Sequence, residues 1–257
     1  MNEIKKTSKN NNLIWIISGV AIAVIGVIVA LVIAIGGSNV SESSSGDQGM
    51  ASGTASNPAT STDLQIVDSG WSYVQDAQWG NSVWYGVAVK NPNKGKVASF
   101  PTIKVVARDA NNKILFSDEF TCSLDYIYYD ETLYCGGNYG EQTEKPVKIE
   151  YKTSVKEWEN ESAVNYPRNT DFEIRNIAEK KDNNTTIFTG EIYNNSSTNI
   201  HAAHIVTIFK KDGKIVGGSM DYSDNLKANN NDTFQLYIMN PPEYDAYEIT
   251  AHVSMIN

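Results

Sequence analysis

The apolar positions of this chain fall into two different patterns, separated by a stretch with almost none. Residues 13–35 form a run of 23 positions without a charge, broken only by Ser18, Gly19 and Gly26. As a helix rising about 1.5 Å per residue, such a run reaches about 34 Å, enough to cross a hydrocarbon core of about 30 Å. Lipid offers no partner to backbone N–H and C=O groups, so a crossing segment must be helical. The run also exceeds the apolar core of a cleaved secretory signal, about 7–15 residues. It predicts a transmembrane helix over 13–35. Lys5, Lys6 and Lys9 precede the run and no lysine follows until Lys90. Residues 1–12 are therefore expected to be a cytoplasmic tail, with everything after the span outside the membrane.

Residues 36–63 are rich in Ser, Gly, Ala and Thr, with Val40 and Met50 as the only larger apolar residues. Too little surface can be buried there to offset the ordering entropy, which predicts a disordered linker. From Leu64 onward, short Val, Ile, Thr, Tyr and Phe runs alternate with clusters of Asn, Asp, Gly and Pro. That is the pattern of strands and turns. Strands are expected at 64–68, 83–90, 103–108, 114–121, 132–135 and 147–153, then at 172–178, 186–193, 200–210, 215–220, 233–239 and 247–254. Residues 156–164 read as a short helical or irregular connector that Pro167 ends.

The two strand-rich halves resemble each other. Trp84, Gly86, Ala88 and Asn91 line up with Phe188, Gly190, Ile192 and Asn195, and Asn112-Lys113-Ile114-Leu115 with Gly213-Lys214-Ile215-Val216. Between those two blocks the first copy carries three extra residues, in the loop 91–101. The fold class that follows is all-β: two tandem immunoglobulin-like β-sandwich domains, at 64–155 and 170–257 with a connector at 156–169, behind one transmembrane helix and a disordered linker. Period two puts Trp84, Gly86 and Ala88 on one strand face and Phe188, Gly190 and Ile192 on another, each expected to be core. The glycines imply close approach of a facing sheet, or a bulge.

In the second half, Gly190-x-Ile192-x-Asn194-Asn195-Ser196, the apolar strand 203–209 and Asp212-Gly213-Lys214-Ile215-Val216 resemble the FxLYD-type modules of bacterial surface proteins. The resemblance covers 172–253, and 64–153 more weakly. The family's Leu-Tyr-Asp element is replaced here by Lys210-Lys211-Asp212 and Ala107-Arg108-Asp109. It implies tandem immunoglobulin-like sandwiches behind an N-terminal anchor in Gram-positive bacteria. No enzyme activity and no functional residue follow from it.

Charge narrows the partners. The net charge is −9, and the lysines of the first twelve residues leave the outer part more acidic still. Such a surface repels phosphate backbones, so nucleic acid is excluded as a partner. No phosphate-cradling glycine loop, nucleophile elbow or Cys–His pair is present, so no catalytic residue, cofactor or enzyme activity is expected. His201 and His204 stand three apart within a strand, on opposite faces, and His252 stands alone, so no zinc set is expected. Asp221, Asp224 and Asn225, with the run Asn229–Asp232, carry calcium-type oxygens but read first as turn formers.

Two features remain. Cys122 and Cys135 flank Tyr128-Tyr129 symmetrically, as cross-strand hairpin partners would, and an oxidising exterior favours a disulfide between them. Aromatic residues crowd the first half, and Tyr126, Tyr128, Tyr129, Tyr139, Trp71 and Trp79 form the candidate binding surface. The leading expectation is a single-pass, non-enzymatic cell-envelope protein that contacts a protein or another surface component outside the membrane. The alternatives are a glycan- or peptidoglycan-binding module that uses the aromatic residues of the first domain, and an extracytoplasmic sensor acting through a membrane partner.

Overall fold

A computed structural model describes residues 62–121 and 126–256. The expected tail and transmembrane helix, all but the end of the expected linker, and Cys122 lie outside the described residues. Among the described residues no helix is long and apolar enough to cross a membrane.

The described chain is all-β. Strands β1 (Gln65–Val74), β2 (Ser82–Lys90), β3 (Lys96–Arg108), β4 (Ile114–Thr121), β5 (Tyr126–Ile127), β6 (Thr132–Tyr139) and β7 (Lys148–Asn160) make up the first half. Two single 3-10 turns, Glu161–Ala163 and Asn169–Asp171, lead into the second. There follow β8 (Phe172–Asp182), β9 (Thr185–Asn194), β10 (Ile200–Lys211), β11 (Lys214–Leu226), β12 (Asn230–Met239) and β13 (Ala246–Ile256). Two boundaries differ from the sequence reading. Strand β1 runs on through Gly70 to Val74, and β7 continues through Trp158, where a connector was expected, because Glu157–Asn160 pair with Lys96–Ser99 of β3.

All pairings are antiparallel, and the two halves share one strand order. Sheet A is β1–β2–β6, and sheet B is β4–β3 with β5 and β7 also on β3. Sheet C is β12–β9–β8, and sheet D is β11–β10–β13. Sheets A and B close on a first core built around Val83, Tyr85, Val87, Ile103, Val105 and Ile127. Sheets C and D close on a second around Phe188, Ile192, Ile205, Phe209, Leu236 and Val253. A third cluster, Val206, Ile208 and Ile215 with Tyr134 against it, joins sheet D to the outer face of sheet A. The layers therefore stack B, A, D, C, and A and D are each covered on both faces.

Glycines set the A–D contact. Gly70 pairs with Gly86, and Gly86 with Gly136, so a stripe without side chains crosses all three strands of sheet A. Strand β11 lies in this stripe. A Cβ on Gly70 would stand 1.8 Å from the Ile215 carbonyl oxygen, one on Gly86 2.8 Å from Ile215 Cγ2, and one on Gly136 2.5 Å from Gly218 Cα. Ile215 to Gly218 is a rise of about 10 Å, which matches the span from β1 to β6 across strands about 4.8 Å apart. Strand β11 thus runs across sheet A, close to a right angle to its strands, with the two backbones touching.

This contact shows what buries the face expected to be core. Trp84, Gly86 and Ala88 do share a face, but it is turned to sheet D and not to the first core. The Trp84 ring sits in the second core, edge-on to Phe209 at 6.2 Å, and its Cβ occupies the space that a side chain on Gly217 would need. The cause is a one-residue slip in the repeat. Asn91 is fully buried; its amide donates to Lys96 O (2.9 Å) and Ile127 O (2.8 Å) and its oxygen accepts from Asn93 N (2.9 Å). Asn194, not Asn195, repeats this pattern with Thr198 O (2.9 Å), Lys227 O (3.3 Å) and Ser196 N (2.9 Å). Tyr85 therefore matches Phe188, and a slip of one position moves Trp84 to the opposite face. Gly190 serves another purpose than Gly86: the Phe234 ring covers it, opposite a bulge between Arg175 and Ala178.

Candidate functional site

Where the halves join, a cleft of about 680 Å³ opens between the β5–β6 turn, the second 3-10 turn, the start of β8 and the middle of β13. Glu131 and Asn169 hold it. The buried Glu131 carboxylate accepts from Tyr128 N (3.0 Å), Asn169 N (3.2 Å) and Asn169 Nδ2 (3.0 Å). Burial pushes its pKa up, and these donors together with the nearby Arg168 only partly offset that. The Asn169 oxygen in turn accepts from Val253 N (3.3 Å), so one side chain ties the first half to β13. Asn169→Ala would leave Glu131 short of its Nδ2 donor, keeping only backbone N–H donors, and would free the β13 edge. We expect a loss of about 2 kcal/mol, read as a lower urea midpoint at unchanged slope.

The cleft wall is backbone that lacks a strand partner. Among the described residues, strand β13 pairs only with β10 and β8 only with β9, so each is the edge of its sheet. Because Val253 N points to Asn169, away from β10, the alternation of an antiparallel ladder turns the N–H and C=O of Ala251 and Ile249 the same way, into the cleft. On β8, Asn195 N donates to Asp171 O (2.8 Å), which extends the ladder by one pair beyond Phe172 and Asn194. Phe172 and Ile174 therefore present their backbone groups outward. Their side chains, with those of Ile249 and Ala251, form the apolar mouth of the C–D sandwich.

The predicted aromatic surface is dispersed. Tyr128 is buried at 4% exposure, a correction to its place on a binding surface: its hydroxyl donates to Tyr166 O (2.9 Å) and Arg168 lies 4.2 Å over its ring. Tyr126 stacks on Tyr166 at 4.1 Å, so this pair also holds the connector. Of these residues only Tyr129, 37% exposed, lines the cleft. Tyr139 stacks flat on Phe116 at 4.2 Å, and Trp71 packs against the first core. Trp79 is 62% exposed and lies apart from the cleft.

No family model matches the chain, and no curated protein matches it. Among solved structures it is similar to a β-glucuronidase from glycoside hydrolase family 2, with 14% identity over 77% of this chain and 26% of that one, at a TM-score of 0.23. It is also similar to the C-terminal globular domain of an oligosaccharyltransferase from Pyrococcus abyssi, with 9% identity over 74% of this chain and 46% of that one, at a TM-score of 0.19. The chain thus spans about a quarter of the first and under half of the second. Neither likeness bears on function.

Three further sequence candidates have plain placements. Cys135 is fully buried in the first core. Among the described residues no three His, Cys, Asp or Glu side chains converge as metal ligands would. His201 is exposed, but His204 and His252 are cross-strand partners on the face of sheet D turned toward sheet A. Sequence spacing hid this pair, because 48 residues separate its members. Burial lowers the pKa of His204 to about 4 and that of His252 to about 3, so both rings are neutral at pH 7.

Proposed function

We propose that this protein is a non-enzymatic, single-pass membrane protein of the cell envelope, whose outer sandwiches capture an extended segment of a partner protein in the cleft. The observation that carries this reading is the convergence of two unpaired strand edges, β8 and β13, on one cleft with an apolar mouth. An added strand gains main-chain hydrogen bonds from such an edge, and alternate apolar side chains gain the pocket. The uncharged run 13–35 and the basic tail support the anchor, and the shared strand order supports a tandem of FxLYD-like, immunoglobulin-type modules. A Cys122–Cys135 bridge belongs to the same proposal, since an extracytoplasmic location supplies the oxidising setting.

Photo-crosslinking in intact cells tests it. With a benzoylphenylalanine replacing Tyr129, the expected adduct joins the full-length chain to an extended segment of one other protein. Ala251→Pro deletes an N–H aimed at the cleft and spares the ladder to β10, so it should abolish the adduct while the melting temperature holds. An adduct indifferent to Ala251→Pro, or one to residues 36–61 of this chain, overturns the proposal. Protease added to the same cells should remove the outer part; full protection would defeat the anchored topology.

A further inference from the structure

A second site lies away from the cleft. Trp79, from the loop after β1, and Tyr237, from β12, are each 62% exposed and line one groove of about 620 Å³. Two aromatic side chains on one groove, each more than half exposed, leave apolar surface in water that neither core uses. The groove is also built, not incidental. The Asp76 carboxylate accepts from Gln78 N (2.7 Å) and Trp79 N (2.8 Å) through one oxygen, and from Asn184 Nδ2 (3.1 Å) through the other. That bridge fastens the Trp79 loop of the first half to the β8–β9 turn of the second. Asn240 N donates to Asn184 O (2.5 Å) and fixes the turn from its other side.

Apart from Ile187, the remaining lining is polar, with Gln78, Asn183, Asn184 and Thr185 beside the rings and Asp182 as the one charged side chain. Asn183 Nδ2 donates to that carboxylate (3.2 Å), which leaves the aspartate a further lone pair facing outward. No lysine or arginine lines the groove, which disfavours an anionic ligand. A purely apolar ligand would strand the amides without partners. A sugar ring suits both parts at once: its C–H face stacks on an aromatic ring, and its hydroxyls exchange hydrogen bonds with planar amides and a carboxylate. The volume falls within the range of small-ligand sites, about 300–1,000 Å³. We propose that the Trp79–Tyr237 groove binds a neutral oligosaccharide, independently of the strand-edge cleft.

The test uses the full-length chain in detergent, titrated separately with chitotriose, cellotriose and maltotriose, and read by saturation-transfer NMR and tryptophan fluorescence. At least one trisaccharide should bind and perturb the indole emission. Trp79→Ala and Tyr237→Ala should each weaken that binding at least tenfold with an unchanged melting temperature, since both side chains lie outside the cores. Ala251→Pro should leave it unchanged, which separates this site from the cleft. Absence of binding by all three sugars, or binding that survives Trp79→Ala, overturns the proposal.

Discussion

Gly70→Ala is expected to cost on the order of 3–5 kcal/mol, above the usual range for an added methyl group. The new Cβ would stand 1.8 Å from the Ile215 carbonyl oxygen, a distance at which neither atom can remain. The clash is with main chain, at Gly70 inside β1 and at Ile215 near the start of β11, so no flexible side chain can yield. Relief requires sheet D to lift off sheet A, which opens the contact of Val206, Ile208 and Tyr134 as well. Guanidinium unfolding reads the loss directly. Gly140→Ala is the control: a Cβ there meets nothing within 4 Å, and the expected change is within about 0.5 kcal/mol. Equal stability of the two variants would sink the crossed-sheet account.

Acid should weaken the same interface through His252. Its folded pKa, about 3, lies below the unfolded value of about 6.5. The unfolded chain therefore binds the extra proton, and this stability is complete above pH 6.5 and lost as pH falls toward 3. At about 1.36 kcal/mol per pH unit, the ring accounts for up to about 4 kcal/mol across that window. The groups around it work in both directions. The neighbouring His204 adds to the repulsion, Tyr134 of sheet A and Ala251 offer backbone oxygens that favour the charged ring, and Asp221 favours the charged form of His204. Thr250 Oγ1 stands 3.3 Å from His252 Nε2, and Ser254 Oγ 2.8 Å from His204 Nε2. Burial outweighs the favourable terms at both rings. His252→Leu should flatten the stability profile between pH 6 and 4, measured by urea unfolding at each pH. A slope identical to that of the unsubstituted chain would rule the ring out as its source.

Much of this fold is written in the periodicity. Each strand expected from the alternation of apolar residues overlaps an observed one, because antiparallel strands with one wet face leave that signature. The misreadings have specific causes. The first strand is expected to end at residue 68, yet β1 continues through Gly70, where the stripe demands a residue without a side chain. Trp84 reads as core, and it is, but period two says that a face is buried and not what buries it. The better signal was in β2 and β10, where both faces are apolar: Val83 through Val89 are all buried, as are Ile205 through Phe209. Strands covered on both sides lose alternation. The cleft was illegible for another reason. Its walls are main-chain groups of Phe172, Ile174, Ile249 and Ala251, and no side-chain pattern reports which strand is an edge. Trp79 was legible as an aromatic residue outside any strand pattern, whereas its neighbour Tyr237 alternates on β12 like any surface tyrosine.

The stripe of glycines across sheet A also bears on the order of the two halves. A module that hangs as a bead keeps the freedom to exchange places with its neighbour. Here Gly70, Gly86 and Gly136 leave room for the hairpin of the other half, and Gly217 and Gly218 let it enter. The two halves are thus not interchangeable: swapping their order would present a groove to nothing and a ridge to a filled surface. They are alike in the buried asparagine turns and unlike in the faces that mate.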